Sequence, residues 1–125
     1  MIGRVDEKHL DNENYIYLIG SDRISTELHY VSEKANELFT NLELDYTYND
    51  EDDLNQYYYR SDHYNFALKG IPVIFYFNGE HEDYHKPTDT PDKINFPLLA
   101  KRAKLIFSTA WYLANTDVRI SGELL

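Results

Sequence analysis

From Ile71 to Phe77 the chain reads Ile-Pro-Val-Ile-Phe-Tyr-Phe, a continuous β-rich run between Gly70 and Gly79. It shows none of the apolar–polar alternation of a strand with one wet face, so it is expected to be covered on both faces. Covering both faces of a sheet takes helices, and two helical stripes are present. Ile24, Leu28, Val31, Ala35 and Leu38 recur at spacings of four and three behind Ser25, a good N-cap. Leu99, Ala103, Ile106, Ala110 and Leu113 form a second stripe behind Pro97, which suits a first helical turn.

Two further strands complete the pattern. Asn14 to Gly20 is a short apolar run closed by glycine, and Leu42, Leu44 and Tyr46 alternate with Glu43 and Asp45. Ser61, with Asp62 beside it at the positive end of the helix dipole, is expected to cap a short helix that stops at Gly70 in the left-handed conformation. Strand, helix, strand, helix, strand, helix is the order of an α/β sandwich with a largely parallel or mixed central sheet flanked by helices. At 125 residues, one domain spanning 1–125 is expected, with no internal repeat or linker.

Composition narrows the function classes. A formal net charge of −10 disfavours nucleic acid and anionic membrane surfaces as partners. There is no cysteine, so thiolate metal sites and disulfides are excluded and the compartment stays open. No apolar run reaches the roughly 18 residues of a membrane span. Met1-Ile2-Gly3-Arg4 has neither the basic nor the apolar region of a signal peptide, so the signal of an exported parent is expected upstream. The acidic stretch Asn49 to Asp53 lacks the alternate ligands and glycine of a calcium loop and reads as solvated.

Five histidines are the candidate ligands and bases. His9, among Asp6, Glu7, Lys8 and Asp11, reads as a residue of a polar loop, and His29 as a helix-surface residue near Glu33. His81 and His85 stand four apart, a spacing that puts two ligands on one helical face; Gly79 and Pro87 make the segment a loop instead. His85 lies just beyond the apolar run, with Tyr84 before it and Asp89 four residues on. On spacing alone it reads first as a surface-loop histidine and second as a metal ligand supported through its other ring nitrogen by Asp89 or Ser61.

Tyr58-x-x-Ser61-Asp62-His63, then Gly70-Ile71-Pro72, then Asp83-Tyr84-His85 and Asp89-Thr90 together resemble the C-terminal half of metallopeptidase family twenty-eight. The opening Met1-Ile2-Gly3-Arg4 is similar to that family's Asp-Met-Ile-Gly-Arg strand end, starting just after its metal-binding aspartate. The resemblance covers nearly the whole chain. It implies a parent that hydrolyses peptides with two zinc ions, with His85 as one zinc ligand. It implies that Tyr58 or Tyr84 donates to the tetrahedral intermediate, and that Ser61, Asp62, His63 and Asp89 line or support the site. It further implies a secreted or periplasmic parent.

The family's upstream His-x-Asp motif, its Glu-Glu pair and the aspartate before Met1 are not in this sequence. Without bridging carboxylates and a glutamate base, the chain alone is expected to bind zinc weakly or not at all and to be inactive. Two alternatives stand beside this reading. One is a glutaminyl cyclase-like zinc transferase, whose Asp-Asp-His and Trp-His differ from Ser61-Asp62-His63 and Tyr84-His85. The other is a metal-free interaction module. A homodimer through an exposed strand edge, at Met1 to Val5, Tyr15 to Ile19 or Ile71 to Phe77, is expected over a self-sufficient monomer.

Overall fold

The computed structural model describes residues 1–125. Three strands form one sheet: β1 (Tyr15–Ile19) at its centre, β2 (Glu43–Asp45) on one side and β3 (Phe75–Phe77) on the other. β1 runs parallel to β2, with Tyr15 opposite Glu43, and antiparallel to β3, with Tyr17 opposite Phe77. The fold is α/β with a mixed sheet.

The strand buried on both faces is β1, all five of whose residues are fully inaccessible. Ile16 and Leu18 face α1 (Thr26–Phe39) and α3 (Phe96–Asn115), where they meet Ala35, Leu42, Leu98 and Leu105. Tyr15, Tyr17 and Ile19 face the other way, into Tyr48, Tyr57, Tyr58 and Phe77. Helices therefore cover one face and aromatic turns cover the other.

The expected strand from Ile71 is shorter than the sequence reading. Only Phe75–Phe77 is paired, and Ile71 is exposed. Pro72 has no N–H to donate, and a proline is confined to strand starts and edges. Residues 1–5 form no strand either, although Met1 accepts a backbone hydrogen bond from Asn78 and Gly3 one from Asn95. β1 has a partner on each side, so the expected open edge at Tyr15 to Ile19 does not exist.

Ser25 caps α1 as expected, accepting from the Leu28 amide, and Asn95 does the same for α3 through Leu98. The α3 stripe is rotated from the expected one. Its inward face is Leu98, Arg102, Leu105 and Thr109, while Ala103 and Ala110 are exposed. Both polar residues find partners inside. Arg102 reaches three backbone carbonyls, and the Thr109 hydroxyl donates to Leu105 O. On α1, Ser32 and Asn36 are buried and Leu38 is exposed. Asn36 bonds both the amide and the carbonyl of Leu42, which closes the turn into β2.

α2 (His63–Ala67) begins after Asp62 and has no side-chain cap, so Ser61 does not play the expected capping part. Gly70 does take the left-handed conformation beyond it, at φ +71°. No helix is long and apolar enough to cross a membrane.

Candidate active-site loop

β3 delivers the chain into the loop that carries His81 to Asp89. Asn78, fully buried at the exit, fixes the starting direction: its Oδ1 accepts from the Arg4 amide at 3.1 Å and its own amide donates to Met1 O at 3.0 Å. Gly79 follows at φ +84°, and the loop then turns on itself through Tyr84 N to His81 O, Lys86 N to Asp83 O and Asp89 N to Lys86 O. His81 and His85 are thus loop residues, as the glycine and proline indicated.

The two histidines have opposite environments. His81 is buried; its Nδ1 accepts from the Asp83 amide at 3.2 Å, which leaves the proton on Nε2. That Nε2 has no hydrogen-bond partner and lies 3.7 Å from Asp89 Oδ2. Burial, with the Arg4 charge second, lowers the His81 pKa from the ordinary imidazole value. His85 is exposed, with its ring stacked on Tyr84 at 3.9 Å between centroids. Its backbone sits at φ +55°, a left-handed conformation uncommon outside glycine, in which asparagine, aspartate and histidine are the residues found most often.

Asp83 and Asp89 flank His85, and one side chain holds both. The Arg4 guanidinium donates to Asp83 Oδ2 through one nitrogen and to Asp89 Oδ1 through another, each at 2.9 Å. Lys93 takes the second Asp83 oxygen, also at 2.9 Å. Hydrogen bonds from Thr88, Lys93 and Arg4 hold the Asp83 carboxyl well below the usual carboxylate range.

The second group of expected site residues lies on the turn Tyr57–Tyr59 and the start of α2. Tyr58 is buried under the Arg23 guanidinium, 4.0 Å from its ring, and burial raises its phenol pKa. His63 Nε2 donates to Tyr58 O at 2.7 Å and its ring stacks on Phe75. His63 Nδ1 is buried without a partner, and desolvation lowers this imidazole's pKa. Ser61 and Asp62 are exposed. Tyr57 joins the two groups through its hydroxyl, which donates to Glu80 at 2.9 Å.

The structure therefore forms two pairs, Tyr84 with His85 and Tyr58 with His63, on adjacent segments. Asp89 is engaged by Arg4. No three His, Asp or Glu side chains are grouped to hold a metal ion. The residues present fit one ligand of a metal centre, an exposed imidazole, and do not form a centre among themselves.

Sequence reasoning missed a third cluster. His9, expected in a polar loop, is buried. Its Nδ1 meets Asp6 at 2.8 Å, its Nε2 meets Asp45 at 3.1 Å, and its ring lies flat on Tyr15 at 3.5 Å. The acidic neighbours that made it look solvated include the partner that lets it be buried.

A family model described as Peptidase family M28 matches residues 7–110, which include the Tyr58 turn, His63 and the whole His85 loop. The chain belongs to this peptidase family. Searches of curated proteins and of solved structures each returned no match. The family is generally metal-dependent, and membership carries a peptidase-type function at family level.

Proposed function

We propose that residues 1–125 are the part of a zinc-dependent exopeptidase of aminopeptidase type that supplies His85 as a zinc ligand. Tyr84 and Tyr58, by their positions in the family motif, are the phenols that would donate to the developing oxyanion; such pre-set dipoles act where charge appears only in the transition state. His63 supports Tyr58 from behind through its backbone carbonyl. The observation that carries this reading is the contrast between the histidines in the family-matched region. His63 is half-buried and His81 buried, each tied into a hydrogen bond, whereas His85 is exposed on the loop that follows β3, and ligands gather beyond strand ends in α/β folds.

A single imidazole with nearby carboxylates already engaged makes a weak site, since stable zinc sites use three or four protein ligands. Zinc titration followed by the histidine ring signals should perturb His85 selectively, with a dissociation constant in the micromolar range or weaker. His85→Ala should remove the response, and the chain alone should leave aminoacyl anilides uncleaved. Silence of the His85 ring at millimolar zinc overturns the ligand assignment. Zinc-dependent turnover by residues 1–125 overturns the expected inactivity.

A further inference from the structure

We propose that Arg4 is a positioning residue for His85, acting as a clamp that spans the ligand loop from one end to the other. The loop from His81 to Asp89 has no strand or helix of its own, and its backbone hydrogen bonds are local turns that close within the loop. Such turns shape a segment without fixing it to the body. The fork from Arg4 does fix it. Its two arms reach Asp83, two residues before His85, and Asp89, four residues after it, across sequence separations of 79 and 85.

Arg4 is itself anchored. Its amide donates to the buried Asn78 side chain, and its carbonyl accepts from the buried Arg102. The guanidinium and the Asp83 carboxylate are both largely withdrawn from solvent, where a forked charge-assisted pair is screened less than on an open surface. The Asp83 end is held a second time by Lys93.

The clamp matters because of the backbone it encloses. At φ +55° the His85 residue costs about 1 kcal/mol relative to an ordinary conformation, and such a residue keeps its geometry only where its surroundings over-determine it. Releasing either arm frees the loop to relax His85 to negative φ, which turns the imidazole away from its present direction. Lysine cannot replace arginine here, because a single ammonium does not present two nitrogens in a fixed fork.

The inference rests on His85 as the metal ligand, and the test separates the two. Arg4→Met, Arg4→Lys and Asp89→Asn are compared with wild type by amide hydrogen exchange and by zinc titration of the His85 ring. Exchange at Tyr84, Lys86 and Asp89 should rise about tenfold or more in Arg4→Met, while amides in α3 stay within about twofold. Arg4→Lys should resemble Arg4→Met, and Asp89→Asn should show a smaller rise in the same three amides. The zinc midpoint at His85 should move up in all three. Unchanged loop exchange, a rise spread equally over α3, or full rescue by lysine each overturns the clamp. If Arg4→Met fails to fold, Asp89→Asn decides by the same readout. A wild-type His85 ring that ignores zinc refutes the ligand role, and the exchange result still decides the clamp.

Discussion

Arg102 Nε donates to the main-chain carbonyl of Tyr15 at 2.8 Å, so a fully buried guanidinium on α3 fastens the first residue of the central strand. The same side chain donates to Ile2 O and Arg4 O and lies over the Tyr15 ring at 4.7 Å. One charge therefore joins the helix layer, the sheet and the N-terminal segment that carries the Arg4 clamp.

Replacing Arg102 by leucine should destabilise the protein by about 3 kcal/mol or more. The new side chain adds apolar contact, but three carbonyls lose their donor, and an unsatisfied buried polar group costs about 1–3 kcal/mol. Urea unfolding should show a lower midpoint with an unchanged slope. A loss below about 1 kcal/mol means that water reaches these carbonyls and that the guanidinium is not what secures the layers.

Gly79→Ala should cost about 2–4 kcal/mol, and Gly70→Ala distinctly less. Both positions have positive φ, which costs a non-glycine residue about 1–2 kcal/mol. They differ in what the added methyl meets. At Gly79 it would run into Asp6 Oδ2, whose carboxylate already accepts from the Tyr17 hydroxyl and holds His9. At Gly70 it meets only the end of the Leu125 side chain, near the C-terminus. Equal melting-point losses in the two variants contradict a tightly held Asp6.

The elements that were legible in the sequence are those whose signal is local. The Ser25 cap, Pro97 in the first turn of α3, Gly70 in the left-handed conformation and the β1 run all follow from backbone rules that need no knowledge of neighbours. The misread elements depend on partners distant in sequence. Arg102 and Thr109 look like surface residues until the carbonyls and the Tyr76 hydroxyl that face them are in place. His9 looks solvated until Asp45, 36 positions away, closes over it. In the site, His85 and its neighbours were legible as a motif. The pairing of Asp83 and Asp89 through Arg4 was not, because it joins residues 79 and 85 positions apart in sequence.

Stability should fall as pH drops below the ordinary histidine range, and His63 should account for part of the fall. Its folded pKa is lowered, by burial first, because a proton on Nδ1 has no acceptor. A histidine with a lowered folded pKa contributes full stability above its unfolded value of about 6.5. That contribution declines as pH falls below this value towards the folded pKa, since only the unfolded chain takes up the proton. His81 is lowered too and acts in the same direction, so the wild-type slope sums both. His63→Gln should therefore flatten, without abolishing, the pH dependence of the melting temperature between about pH 4 and 6.5. An unchanged slope, or a His63 ring titrating in the folded protein at or above the usual value, refutes the assignment.

The carboxylates act in the same direction, at lower pH. Asp83 has a depressed folded pKa because Thr88, Lys93 and Arg4 all donate to it. A carboxylate of this kind contributes stability above its unfolded value of about 3.9, and the contribution is lost as pH falls through the folded value. The loss should be seen first in the His85 loop, since Asp83 protonation releases Lys93 and one arm of Arg4 while leaving the β1 core untouched. Hydrogen exchange from about pH 4 downwards should therefore show Tyr84 and Lys86 opening before the amides of β1, after correction for intrinsic rates. Asp83→Asn should show the opened loop already at neutral pH and no further step on acidification. Simultaneous opening of loop and strand in the wild type would mean that the ion pairs support the whole fold and not the loop that presents His85.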